Sequence, residues 1–217
     1  MVGLPAIQPY PMPRADELPA SIPAWRPEVE RCALLIHDMQ SYFLRPFPDG
    51  TSPHAPLLAN VTALRDRCAR SGIPVAYTAQ PGGMTGEDRG LLSAFWGEGM
   101  GVDPVDREIV ASLAPATEDW VLTKWRYSAF FRTDLLDRLR ESGRDQLIIC
   151  GVYANLGVLV SAVEAFTNDI ETFLVADAIA DFTEESHWLA LRYAAGGCAV
   201  VDTTTSILAA LAGAEEG

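Results

Sequence analysis

Asp38, Lys124 and Tyr153 each stand where an apolar run ends: Ala33-Leu-Leu-Ile-His-Asp38, Trp120-Val-Leu-Thr-Lys124 and Leu147-Ile-Ile-Cys-Gly-Val-Tyr153. In a sheet of parallel strands such carboxyl ends converge on one edge, where ligands bind. A carboxyl, an ammonium and a tight glycine-tyrosine turn would then share one cleft. That set suits proton transfer by the carboxyl and anchoring of an anion by the ammonium.

The elements needed to position these groups are written in the hydropathy pattern. Apolar, often β-branched runs near 31–38, 74–79, 119–124, 146–152, 172–177 and 198–203 predict strands. Between several of them lie stretches with helical spacing, at 57–68, 134–140 and 158–166. Most strand runs are continuous instead of alternating, which predicts cover on both faces. The expected fold is α/β: a doubly wound, mainly parallel six-stranded sheet with helices on both faces. Residues 1–30, with Pro5, Pro9, Pro11 and Pro13, read as a proline-rich arm with room for one short helix, and residues 31–217 as a single domain.

Composition narrows the function classes. The 217 residues carry a formal charge of −13, with a pI near 4.5, which argues against nucleic acid or an anionic membrane as partner. No segment approaches the roughly 20 apolar residues of a membrane span. The N-terminus has neither the basic region nor the apolar block of a signal peptide. The four cysteines (Cys32, Cys68, Cys150, Cys198) form no Cys-x-x-Cys pair, so reduced thiols and a cytoplasmic location are expected. His37, His54 and His187 are scattered without ligand spacing, so no metal is expected. Gly82-Gly83 is a turn and not a phosphate loop, since no Gly-Lys-Ser/Thr follows.

Longer segments are more specific. His37-Asp38-Met39-Gln40, Tyr77-Thr78-Ala79-Gln80-Pro81, Lys124-Trp125-Arg126-Tyr127-Ser128-Ala129-Phe130, Cys150-Gly151-Val152-Tyr153-Ala154 and Val175-Ala176-Asp177-Ala178-Ile179-Ala180-Asp181-Phe182 together resemble the isochorismatase family. The likeness runs from about residue 5 to 208. Phe130-Phe131 and Gly157-Val158-Leu159 favour its phenazine-pathway branch. The resemblance implies an isochorismatase-like hydrolase fold. The implied activity is hydrolysis of the enolpyruvyl ether of 2-amino-2-deoxyisochorismate to trans-2,3-dihydro-3-hydroxyanthranilate and pyruvate. Alternatives are isochorismate as substrate, giving 2,3-dihydro-2,3-dihydroxybenzoate and pyruvate, or a non-catalytic family member. A homodimer binding a small chorismate-derived molecule, without a cofactor, is expected from the same likeness. The chain has no room after Leu211 for the carrier-protein domain of siderophore isochorismatases, so a free-standing hydrolase is expected.

The wider superfamily consists mostly of cysteine hydrolases with an Asp-Lys-Cys triad, the thiol lying seven residues beyond a Cys-Gly cysteine. Counted from Cys150 that position is Gly157, which leaves amidase chemistry without its nucleophile. A vinyl ether needs only an acid and a water. Asp38 is the expected acid. A free Asp, with a pKa of roughly 3.9, is ionised at neutral pH, so burial and the substrate's carboxylates must raise it against the pull of Lys124. Asp38 is therefore expected to be protonated mainly in the substrate complex, with Lys124 engaged chiefly by a substrate carboxylate.

The resemblance implies further roles. Lys124 and Arg89 bind carboxylates, and Gln80 contacts ring substituents or the attacking water. Tyr153 and Gly157 offer polar backbone or hydroxyl contacts to the pyruvyl carboxylate at a helix N-terminus, after a Val152-Tyr153 peptide that is often cis in relatives. Phe43, Trp96 and Tyr127 wall the ring. Asn155 stands where relatives have histidine, so it either donates a hydrogen bond or marks a different substrate. Duller roles exist: Arg89 as a solvated loop residue, Gln80 as a strand-end cap, the three aromatics as core. Arg126 is expected to pair with an acidic neighbour, His37 to be packed or to support the site, and Cys150 to be a buried strand residue.

Overall fold

A computed structural model describes residues 4–212; the first residues of the expected arm and the last of the expected domain (213–217) lie outside the described residues. Six strands form one sheet: β1 (Cys32–His37), β2 (Val75–Ala79), β3 (Trp120–Thr123), β4 (Gln146–Val152), β5 (Glu171–Ala180) and β6 (Val200–Asp202). Their order is β3-β2-β1-β4-β5-β6, and every pairing is parallel. The chain leaves β1 towards one edge and returns at β4 towards the other, so a crevice opens where the carboxyl ends of β1 and β4 diverge. The helices among the described residues are α1 (Ser41–Leu44), α2 (His54–Arg70), α3 (Gly86–Arg89), α4 (Leu92–Trp96), α5 (Pro104–Arg107), α6 (Leu135–Glu141), α7 (Leu159–Thr167), α8 (Glu184–Gly197) and α9 (Thr204–Ala212).

The continuous apolar runs are covered on both faces at the sheet centre, where every residue of β1 and β4 is buried. Cys32, Leu34 and Ile36 of β1 join Ile148, Cys150 and Val152 of β4 in one core with Leu57, Val61, Leu64 and Cys68 of α2 and Ile207 and Leu211 of α9. The intervening Ala33, Leu35, Leu147 and Ile149 face a second core with Leu135 and Leu139 of α6, Leu159 and Ala162 of α7, and Ala190, Leu191 and Ala194 of α8. Period two in the strands and the i, i+4, i+7 spacing in α2 produce this division. Each fully buried Leu or Ile contributes about 1.5–3 kcal/mol. At the edge, β3 departs from the expected cover: of its four residues Leu122 alone is buried.

The segment between β2 and β3, which shows no regular period, winds through α3, α4 and α5 and a 3-10 turn (Ala111–Leu113) above the strand ends. The arm lies along the domain with a single 3-10 turn at Ala15–Glu17 among its described residues. Ile7 and Tyr10 are buried; the Tyr10 hydroxyl accepts from the Asp181 N–H (2.8 Å) and donates to the Asp181 carbonyl (3.2 Å).

Tyr10 also meets the edge of His187 in α8, at 5.8 Å between ring centroids. His187 is buried, its Nε2 lies 3.0 Å from the Ala176 carbonyl, and its Nδ1 has no partner among the described residues. Burial pushes its pKa down to about 4. The native state therefore refuses a proton that the unfolded chain accepts from about pH 6.5 downward, and stability is lost as the pH falls through that window. Replacing His187 by Leu should remove about 2 kcal/mol of the stability lost between pH 7 and pH 5. Urea unfolding of both proteins at the two pH values measures it; equal pH slopes would refute the assignment.

Candidate functional site

The crevice holds a cavity open on one side to solvent. At its floor stands Asp38, the first residue beyond β1, 4% exposed and with a φ of +49°. A non-glycine residue rarely adopts this left-handed conformation, which persists where the surroundings over-determine it. Here neighbouring strands supply the constraint. The Asp38 N–H donates to Thr78 Oγ1 (3.0 Å), and the Thr78 hydroxyl donates to Asp38 Oδ1 (2.6 Å). Thr78 reaches Asp38 because β2 runs parallel to β1 with Ile36 opposite Tyr77.

Lys124 follows β3 and is 1% exposed. Its Nζ lies 2.9 Å from Asp38 Oδ2 and donates to the Arg126 carbonyl at 2.8 Å. Gln80 Nε2 adds a longer bond to Asp38 Oδ2 at 3.3 Å. Gln40 fixes Gln80 in turn: its Oε1 accepts from the Gln80 N–H (2.8 Å), and its Nε2 donates to the carbonyls of Gln80 (3.0 Å) and Arg107 (2.7 Å). Burial presses the Asp38 pKa upward, but the Lys124 ammonium prevails, helped by His37 and by the hydrogen bonds from Thr78 and Lys124. The net direction is below the ordinary carboxylate value, so Asp38 is ionised in the ligand-free protein.

His37 is 1% exposed and lines the same floor, with Nδ1 2.8 Å from the Val152 carbonyl and Nε2 3.3 Å from the Tyr127 carbonyl. Burial holds it below the ordinary imidazole value, against the nearby Asp38 carboxylate. β4 approaches β1 so closely here that a Cβ on Gly151 (φ +108°) would stand 2.2 Å from the His37 carbonyl oxygen. Glycine alone fits that place.

The walls are aromatic. Phe43 of α1, Trp96 of α4, Tyr127, Tyr153 and Phe182 line the cavity, with Tyr153 and Phe182 stacked at 3.9 Å and Trp96 stacked on Phe182 at 5.6 Å. Trp96 Nε1 donates to the Tyr127 hydroxyl at 2.7 Å. Arg89, at the end of α3, is buried and lines the cavity, with its Nε donating to the Gly97 carbonyl (3.0 Å). Burial lowers its pKa. Among the described residues no carboxylate lies within ion-pair distance of it.

Asp38, Lys124, Gln80, Arg89, Tyr153, Gly157, Phe43, Trp96 and Tyr127 thus meet around one cavity. Asn155 does not. It is absent from the lining: its backbone N–H donates to Asp181 Oδ2 (2.6 Å), and its side-chain oxygen has no partner among the described residues. Of the backbone and hydroxyl contacts expected of Tyr153, the hydroxyl is engaged elsewhere, donating to the Phe43 carbonyl at 2.6 Å, which leaves the ring and backbone. The Val152-Tyr153 peptide is cis, and the segment after it, Ala154–Val158, is a five-residue π-helical turn leading into α7. Among the described residues Arg126 does not pair with an acid; its Nη1 donates to the Asp88 and Trp125 carbonyls (2.6 and 2.7 Å). Cys150 is wholly buried, its thiol 3.6 Å from the Leu35 carbonyl and its pKa raised by that burial. Thr78, Gln40 and Phe182 carry no role that the sequence pattern assigns. Thr78 precedes Gln80 by two residues and so shares its strand face, a signal the sequence contains; the reach of Gln40 and Phe182 depends on loop paths.

Comparison with known proteins accords with this geometry. Residues 32–206 match the isochorismatase domain. The chain belongs to the isochorismatase family. It is 58% identical over 208 residues to a protein of Pseudomonas aeruginosa described as phenazine biosynthesis protein PhzD1, covering 96% of this chain and 100% of that one. It is 53% identical to a Bacillus subtilis protein described as isochorismatase, covering 95% of this chain and 66% of that one. A solved cysteine hydrolase of Pseudomonas syringae shares the fold, with a TM-score of 0.79 at 21% identity over 90% of this chain and 98% of that one. The isochorismatase-family chain is a hydrolase. Among its described residues no helix is long and apolar enough to cross a membrane, and no group of three or more His, Cys, Asp and Glu could hold a metal ion.

Removing one member of a buried ion pair strands the other charge. Lys124→Met should cost about 3–5 kcal/mol at pH 7. Without the ammonium, burial raises the Asp38 pKa, so lowering the pH neutralises the stranded carboxylate and the deficit relative to the parent shrinks. Chemical denaturation at pH 7 and pH 5 checks this, and a deficit that widened on acidification would contradict it.

Proposed function

We propose that this isochorismatase-family hydrolase cleaves the enolpyruvyl ether of 2-amino-2-deoxyisochorismate, giving trans-2,3-dihydro-3-hydroxyanthranilate and pyruvate, with Asp38 as general acid. The observation that carries the reading is a buried carboxyl at the cavity floor, hydrogen-bonded by Thr78 and paired with Lys124 at 2.9 Å. The 58% identity to a phenazine biosynthesis protein supports the aminated substrate.

The substrate carries two carboxylates, and the cavity offers two cations, Lys124 and Arg89. A carboxylate that engages Lys124 weakens its pull on Asp38, and the substrate's own negative charge raises the Asp38 pKa further. Asp38 therefore takes up its proton as substrate binds. It passes that proton to the terminal methylene carbon of the vinyl ether, which becomes a methyl group beside an oxocarbenium ion. Water adds to the cationic carbon, and its surplus proton returns to Asp38. The hemiketal then expels the ring alcohol and leaves pyruvate. The stacked Trp96, Phe182 and Tyr153 rings keep bulk water from the cation.

The same reading has the protein working as a cytoplasmic homodimer on a small chorismate-derived molecule, without a cofactor, as one domain behind an N-terminal arm. A second substrate, isochorismate, is favoured by the 53% identity to a protein described as isochorismatase.

Pyruvate release from each purified substrate, followed by coupled lactate dehydrogenase, discriminates the two through the ratio of kcat/KM. Release from neither would sink both. Asp38→Asn should lower kcat by about 10²–10⁴-fold. The parent's kcat should fall with rising pH as Asp38 ionises in the complex, and this alkaline limb should vanish in Asp38→Asn. Arg89→Ala should mainly raise KM, since a carboxylate clamp contributes to ground-state and transition-state binding alike.

A further inference from the structure

A side chain at position 157 would have no space to occupy. A Cβ on Gly157 would stand 2.1 Å from His37 Cε1, 2.7 Å from Nε2 and 3.1 Å from Nδ1. The imidazole does not swing aside easily, because it is buried and its Nδ1 lies within hydrogen-bond distance of the Val152 carbonyl, at 2.8 Å. The backbone of Gly157 is also tied, its carbonyl accepting from Ser161 Oγ at 2.6 Å. Both residues line the cavity, beside Asp38 and Lys124, and the lining among the described residues contains no cysteine, serine or threonine.

We propose that His37 and Gly157 form a size-complementary pair that sets the reaction class of the pocket: the imidazole fills the volume from which a nucleophilic side chain at 157 would act, and so reserves the site for attack by water. The functional meaning rests on the reading of this cavity as the hydrolytic site, whereas the steric exclusion can be tested without it. His37 has the shape for this role. Its flat edge, Nε2–Cε1–Nδ1, is the part turned towards Gly157, and the ring is anchored at Nδ1 by the Val152 carbonyl. A smaller residue at 37 would open a hollow beside the Asp38 carboxylate, and a larger one at 157 must displace the ring or the π-helical turn.

A double-mutant cycle measures the exclusion. Overpacking a rigid site should make Gly157→Ala lower Tm by about 3–10 °C in the parent, and by much less in a His37→Ala background. The Gly157→Cys variant then reports on access. Iodoacetamide forms a sulfur–carbon bond as iodide leaves and the thiol proton passes to buffer. The native thiols make a quiet background, since burial pushes Cys32 and Cys68 up to about 12 and Cys198 to about 11. Peptide-resolved mass spectrometry should find the introduced thiol alkylated at least about tenfold faster in His37→Ala/Gly157→Cys than in Gly157→Cys alone, as expected when a thiol gains room and solvent. Equal Tm losses for Gly157→Ala in both backgrounds, or equal alkylation rates, would overturn the proposal. Should Gly157→Cys fail to fold, the alanine cycle decides by itself. Absence of pyruvate release in the parent would remove the catalytic reading while leaving this cycle interpretable.

Discussion

An ammonium 2.9 Å from a carboxylate, both almost wholly removed from water, is the interaction on which the site depends. Either charge alone would be expelled from such a place or neutralised. Together they persist because Thr78 and Gln80 also satisfy the Asp38 oxygens and the Arg126 carbonyl takes a second proton of Lys124. Three strands and two loops must therefore hold their relative positions. The sheet supplies that rigidity: β1, β2 and β3 are hydrogen-bonded neighbours, and the pair bridges their carboxyl ends.

The same pair defines a problem that the chemistry must solve. A carboxyl held below its ordinary pKa is a poor store of protons at neutral pH, yet it is the group best placed to deliver one. On the proposed reading, the resolution lies in competition for Lys124. A ligand carboxylate that draws the ammonium away and adds a negative charge favours the protonated acid, so that binding and protonation would be one event. A buried Arg89 without an acidic partner among the described residues is the complementary feature, a cation whose counter-charge the ligand would provide on the same proposed reading.

Much of this is legible in the residues. The six strands fall on the apolar, often β-branched runs, and at the sheet centre, where β1 and β4 are covered on both faces, no polar alternation blurs them. Asp38 and Lys124 are recognisable because each ends such a run. Gly157 is notable for a missing side chain. Less is visible wherever one long loop meets another. The 82–118 excursion has no dominant period, so its three short helices, and the burial of Arg89 beneath them, stay hidden. Asn155 lies between two lining residues in sequence, yet its N–H turns to Asp181, a contact set by the π-helical register of that turn. Arg126 finds carbonyls where an acid was expected, because loop backbone and not loop composition surrounds it.

Hydrophobic period and residue type are local properties, and they suffice to place the strands, to make the sheet parallel and to name the groups at its strand ends. Which of those groups touch is a matter of the folded chain. The Thr78 hydroxyl beneath the Asp38 carboxylate, the Tyr153 hydroxyl committed to Phe43 and the His37 ring pressed against Gly157 all join residues at least 40 positions apart. Contacts at that separation follow from how strands register and loops pack across the sheet edge, and no local pattern encodes them.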